Sequence, residues 1–294
     1  MSEETTTDIL QPLSFEKWRL LQRKTKHNWP QFAYIYYWIE NAIKWKEKKP
    51  DILIDIYCPY GDLEKDTFIG ISKFSISIVI TFTLEPSNGL LYKILTETNV
   101  INWKETIYLA AVHESVKPTV YTAIEYLKNV RNLQIKLEVP GNYYFKSAKE
   151  CAELKVCVPE ECYLKTLDKS DVHLVHSEWP QKSLECPEES TKYLATMIEM
   201  NCGIGLRLKK DNSLVSWILH NDWHGLGMVQ TLVEHKRKGY AKTVSSALAK
   251  DLGLQDISVT LFIVEGNLTS ETMFTNLGWK QISPIIWIIV QEQE

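Results

Sequence analysis

Residues 227–249, GMVQTLVEHKRKGYAKTVSSALA, read as a strand, a short basic turn and a helix. Met228, Gln230 and Leu232 alternate with Val229, Thr231 and Val233. The segment is largely apolar on both faces, the pattern of a buried strand. Lys236, Arg237, Lys238 and Lys242 then crowd cationic side chains around Gly239. Past that glycine the period changes, and Val244, Leu248 and Leu252 share one helix face beside small Ala241, Ser245, Ala247 and Ala249. A helix start leaves about four backbone N–H groups without partners and carries about half a positive charge. Feeding that start from a strand through a glycine turn makes an anion site, and the flanking cations add net charge. The expected ligand is a phosphate. Neither the nucleotide P-loop string nor the three-glycine dinucleotide fingerprint is present. The bland alternative is a basic surface turn before an ordinary helix.

The rest of the composition bounds the partner. The chain has 294 residues, 45% hydrophobic and 24% charged, as in soluble globular proteins, and is long enough for one large domain or two. Formal net charge is −4, so the basic turn is a local feature and a nucleic-acid partner is not expected. The six cysteines (Cys58, Cys151, Cys157, Cys162, Cys186 and Cys202) form no C-x-x-C and pair with no histidine at zinc-like spacing. Reduced thiols and no metal are expected. The polar, acidic start MSEETTTDIL lacks presequence character, and disorder is expected before about Leu13. No apolar run approaches the ~20 residues of a membrane span. A cytoplasmic protein without a membrane partner is the expectation.

Taken in order, residues 15–21 read as a short helix, and the aromatic run 32–45 is of undecided type. Strands are expected at 52–57 and 74–83, helices at 90–98 and 120–130, and a strand at 133–139 ended by Pro140-Gly141, with 143–145 extended after it. Residues 147–167 look like a connection between two halves. Then come a cap at Ser170-Asp171-Val172, a helix at 190–200 and a hairpin of 203–208 with 214–219. The central strand, turn and helix follow, then a strand at 257–264, a helix near 270–277 and a strand at 285–290. A mixed α/β sheet is the natural product.

A second stretch, residues 267–279, NLTSETMFTNLGW, follows the basic turn after one helix and one strand. Asn267, just past a strand, offers a donor and an acceptor to an amide-bearing ligand. Gly278 suits a helix C-terminus needing positive φ. The string K-R-K-G-Y-A resembles the pyrophosphate signature Gln/Arg-x-x-Gly-x-Gly/Ala of the GNAT superfamily of acyl-CoA N-acyltransferases, with Lys236 at the first position. Residues 267–279 resemble that superfamily's second hallmark, Asn-x-x-Ala/Ser-x-x-Leu/Met-Tyr-x-Lys/Asn-Leu-Gly-Phe/Trp, departing from it at Phe274. The whole chain resembles the glycine N-acyltransferase family: in T-L-V-E-H-K at 231–236, where the family's Pro is Val233, in L-V-S-W at 214–217, in residues 171–179, and in I-N-W-K-E at 101–105.

The resemblance implies a GNAT fold with an N-terminal α/β domain of related architecture, residues 1–165, before a C-terminal acyl-CoA domain, residues 166–294. It implies acyl transfer from acyl-CoA to the amine of glycine or a similar small acceptor. Pantetheine would lie between the splayed strands 228–233 and 257–264, paired with main-chain groups of Thr231, Leu232 and Val233. Lys236, Arg237, Lys238, Gly239, Tyr240 and Ala241 would hold the pyrophosphate, with Asn267 and Phe274 also against the coenzyme. Glu234 matches the family's proposed general base, a role that needs burial to lift a carboxyl from about 4.3. Phe274 stands where many relatives protonate the leaving sulfur from a tyrosine, and it has no proton to give. Water or another residue must then serve, Tyr240 being too close to the phosphates. Otherwise the protein binds acyl-CoA with little turnover. An arylalkylamine or protein-lysine acetyltransferase is a further alternative. His224 and His235 are lone histidines near strand ends, and His173 and His176 lack a third metal ligand. Acyl chain, acceptor and oligomeric state are not readable.

Overall fold

A computed structural model describes residues 8–182 and 187–293; residues 1–7 and Cys186 lie outside them. The chain forms two compact units, one from the described parts of Met1–His27, Lys46–Gly141 and Ser283–Glu294, the other from Asn28–Trp45 and Asn142–Ile282. A division at residue 165 is sequential, whereas these units interleave along the chain.

The first unit begins with β1 (Leu10–Pro12), where disorder was expected, and α1 (Trp18–Lys24). The undecided aromatic run is α2 (Ala33–Lys48), most of which belongs to the second unit. Ten of its side chains are buried, which is why it looks apolar all round in spite of its helix length. β2 (Ile54–Pro59), β3 (Thr67–Ser72), β4 (Ser77–Thr83), α3 (Gly89–Glu97), β5 (Ile107–His113), α4 (Lys117–Arg131) and β6 (Leu133–Lys146) follow. The strands run in the order β1-β2-β3-β4-β5, antiparallel except for the parallel pair β4–β5. Leu91, Ile94 and Leu95 of α3 and Val120, Ile124 and Leu127 of α4 pack on this sheet as one core. Their spacing is that of an amphipathic stripe.

In the second unit α5 (Ala148–Ala152), β7 (Cys162–Thr166), α6 (Val172–Ser177) and α7 (Pro187–Met200) precede β8 (Gly203–Leu208) and β9 (Leu214–His220). β10 (Leu226–Thr231), α8 (Tyr240–Leu254), β11 (Val259–Val264) and α9 (Leu268–Asn276) complete it, and β12 (Lys280–Glu292) passes into the first unit at Ser283. The strand order is β6-β11-β10-β9-β8-β7. One core lies under α8, around Val244, Leu248 and Leu252. Another lies under α6 and α7, around Val175, Leu194 and Trp217. β-β-β-α-β-α-β describes both β2–β6 and β8–β12, so the N-terminal half has a GNAT-like element order of its own. Within the first unit β12 pairs with β5 from Ile285 onward, and within the second the end of β6 lies beside β11. β6 is continuous where two segments were expected, because Pro140 sits exposed in the strand instead of ending it.

Candidate active site

The basic turn closes as the helix-start argument requires. Gly239 is the N-cap of α8 at φ +80°, and Arg237 is also left-handed at φ +63°. The first helical bond runs from the Thr243 N–H to the Gly239 carbonyl at 3.0 Å. Among the described residues no group accepts from the backbone N–H groups of residues 237–242. Successive free amides in a turn with left-handed residues form an anion-binding concavity at the positive end of a helix. Tyr240, 2% exposed, closes the inner side of the turn. Its hydroxyl donates to Glu161 Oε1 at 2.7 Å, and the His235 ring stacks on it at 6.1 Å. Burial, then the bond to the Glu161 carboxylate, raise the phenol well above its ordinary value. Tyr240 therefore keeps its proton and is committed away from any leaving group.

Beside the turn the sheet opens. β10 and β11 are parallel and pair at Leu226–Leu261, with no further partner along β10, so they part toward their C-terminal ends. On the other edge of β10 the pairing with β9 slips between Gly227 and Gln230. Met228 and Val229 there oppose Ile218 alone, and Met228 sits at φ +55°. A bulge of this kind leaves backbone groups outside the ladder and bends the strand. Between the parted strands lies a cavity of about 130 Å³, with Ile218, Leu226 and Phe274 in its wall. A larger one of about 680 Å³ shares Met228, Val229, Asn267 and Ser270 with it and extends to the basic turn.

The large cavity gathers Thr231, Lys236, Arg237, Gly239, Tyr240, Ala241 and Asn267 from the expected set. Phe274, 4% exposed, lines the smaller cavity and packs edge-on against Trp279 at 5.4 Å. Asn267 also caps α9, its side-chain oxygen accepting from the Ser270 N–H at 3.2 Å. Lys238 instead borders a separate cavity beyond Tyr240. Leu232, Val233 and Glu234 line neither crevice cavity. β10 ends at Thr231, two residues before the expected strand end, and a 3-10 turn occupies Val233–His235. The Leu232 N–H is taken by the Val215 carbonyl at 3.0 Å, which removes it from the pantetheine-pairing set. Val233 is 73% exposed. The Glu234 side chain is 67% exposed, so it lacks the burial that the general-base role demands.

Residues outside the expected set complete the walls. Val175, Glu178, Trp179, Trp217 and Met228 border the large cavity. Gln230 Nε2 ties the end of α6 to β10 by donating to the Glu178 carbonyl at 3.2 Å. Trp179 stacks on Tyr193, whose hydroxyl donates to Asp222 Oδ1 at 2.9 Å. Burial pushes the Asp222 carboxyl up to about 6, and its other oxygen has no partner among the described residues. Trp179 closes the 171–179 stretch of the family resemblance and Trp217 the 214–217 stretch, the two signals in the sequence for this wall. His224 and His220 are buried and stacked, joined Nδ1 to Nε2 at 2.6 Å, with Lys44 Nζ 2.8 Å from His224 Nε2. Burial pulls both imidazoles far below their ordinary value and keeps them neutral, and neither ring lines a crevice cavity. No cluster of three or more potential metal ligands occurs among the described residues, and no helix there is long and apolar enough to cross a membrane.

A sheet parted beside a bulged strand, with free amides at the following helix start, is the geometry of the GNAT fold. A family model described as FR47-like protein matches residues 203–288, and one described as Domain of unknown function (DUF5645) matches residues 9–123. The resemblance to glycine N-acyltransferases is met over nearly the whole chain. Human Glycine N-acyltransferase-like protein 2 is 23% identical over 289 residues, 92% of this chain and 94% of that protein. A solved Drosophila protein superposes with a TM-score of 0.86 at 23% identity, covering 96% of this chain and 98% of its own. A tandem GNAT protein from the clavulanic acid biosynthesis pathway gives 0.54 at 11% identity, covering 96% and 98%. Both halves thus share the fold of tandem GNAT proteins.

Proposed function

We propose that this chain transfers an acyl group from acyl-CoA to the amine of glycine or a similar small acceptor. The observation that carries the reading is the alignment of two features. Unpartnered amides at residues 237–242 suit a diphosphate, and the cavity that reaches them, walled in part by Trp179 and Trp217, adjoins the largely apolar opening between β10 and β11. Lys236 and Arg237 add charge to the amides, and Asn267 stands where an amide-bearing arm would pass. Free backbone groups of the Met228–Val229 bulge are suited to the thioester carbonyl, whose oxygen gains negative charge as the amine attacks. The new C–N bond replaces the C–S bond, the amine's proton passes to solvent water, and the thiolate departs. Phe274 cannot protonate that thiolate and Tyr240 is held by Glu161, so the proton comes from water or another side chain of the crevice.

Phe274 also favours a second reading, a protein that binds acyl-CoA and turns it over slowly. Release of free thiol across a panel of acyl-CoAs with glycine, other small amines, arylalkylamines and a lysine peptide separates the readings. Release that depends on glycine or another small amine supports the first. Tight CoA binding without release for any pair supports the second, and binding of neither CoA nor acyl-CoA refutes both.

A further inference from the structure

Tyr240 and His235 form a wall with a cavity on each side. One is the large crevice cavity. The other, of about 590 Å³, is bounded by Leu208, Lys209 and Lys210 from the β8–β9 hairpin, by Lys238 and by Glu161. The wall is held firmly: Tyr240 is anchored on Glu161, His235 stacks on its ring, and Lys238 Nζ lies 5.9 Å from the ring centroid. The Glu161 carboxylate is already engaged by the Tyr240 hydroxyl. Lys210 has Asp211 at 3.8 Å, while Lys209 and Lys238 have no carboxylate within ion-pair distance among the described residues. The β8–β9 hairpin thus brings two lysines to the same rim as the phosphate turn, in a chain whose formal net charge is −4. Cations gathered at one concave spot of an otherwise acidic chain focus an attractive field for an anion.

We propose that Lys209, Lys210 and Lys238 around this cavity receive the 3′-phosphate of coenzyme A. The inference rests on the acyl-CoA reading above and adds a second, separate anion subsite to it. Coenzyme A carries two anionic groups on one ribose, a 5′-diphosphate and a 3′-phosphate. The crevice amides take the first. The second must lie about one sugar ring away, and Tyr240 and His235 border both cavities. The subsite would distinguish coenzyme A from the dephosphorylated coenzyme, which offers a diphosphate but no such group.

The test compares coenzyme A with 3′-dephospho-coenzyme A by titration calorimetry on the full chain, for the native protein and Lys209→Ala/Lys210→Ala. An exposed charge contact is worth at most about fivefold, so two or three give a preference of about tenfold for coenzyme A. The double variant should lose most of that preference by binding coenzyme A more weakly, with its affinity for the dephospho form unchanged within about twofold. Raising the salt concentration should shrink the native preference in the same way. Equal native affinities for the two ligands, or a preference that survives in the double variant, would overturn the subsite while leaving the acyl-CoA reading intact. Failure of the native protein to bind either ligand would overturn both.

Discussion

Replacing Gly239 by alanine adds one methyl group to a residue held at φ +80°, and a Cβ built there meets no atom within 4 Å. Crowding therefore contributes nothing, and the cost is conformational. Left-handed backbone costs an L-residue about 1–2 kcal/mol. Restricting the unfolded chain returns about 0.4–1 kcal/mol. The net is about 1 kcal/mol, and it must appear in one of two places. If the free protein keeps the turn, unfolding by urea becomes easier by that amount. If the turn relaxes, the free protein keeps the unfolded-state gain, coenzyme binding must rebuild the turn, and affinity falls by the full left-handed cost, about five- to thirtyfold. The two losses, from denaturation of the free protein and from calorimetry with CoA, should sum to about 1 kcal/mol for Gly239→Ala. Gly239→Asn should lose less, because asparagine enters the left-handed region more readily. A summed loss near zero for alanine, or an equal loss for asparagine, would refute the claim that this glycine shapes the anion site through its backbone.

Phe274→Tyr puts a phenol into the crevice wall with the packing against Trp279 retained, and it should raise thiol release by at least about tenfold if protonation of sulfur limits turnover. Unchanged release with unchanged CoA affinity would count against that limit. Glu234→Gln should leave turnover within about twofold, since the side chain is largely in solvent; a hundredfold loss would restore Glu234 as the base. Asp222, pushed up to about 6 by burial, holds in the folded protein a proton that the unfolded chain gives up near 3.8. Its contribution to stability therefore falls as pH rises between those values and is least above about pH 6. Asp222→Asn should be more stable than the native protein by about 2–3 kcal/mol at pH 7.5 and equal to it near pH 3.5, and denaturation midpoints that differ equally at both would contradict this.

What the sequence disclosed of the site was local. The phosphate turn rests on one left-handed glycine, adjacent lysines and a change of period, all within a dozen residues, and nothing distant is needed to form it. The end of β10 was misplaced for a non-local reason. Its bulge exists because Met228 and Val229 face a single residue of β9, and no pattern within 228–233 records that pairing. Glu234 falls in the 3-10 turn past the end of the strand, where its side chain is largely in solvent. The wall made by Trp179 lies about fifty residues earlier in the chain, and only the family resemblance pointed near it. In the first unit β3 escaped because all six of its residues are buried, which abolishes the alternation that marks a half-exposed strand. α2 was ambiguous for a related reason: burial over most of its surface hides the helical stripe.

The most direct test of the central claim is a crystal structure of the chain soaked with coenzyme A. The diphosphate is expected within hydrogen-bond distance of the backbone N–H groups of residues 237–242, with the pantetheine arm between β10 and β11 and its sulfur near the Met228–Val229 bulge. Coenzyme bound anywhere else, or a crevice that stays closed at saturating coenzyme, would contradict it.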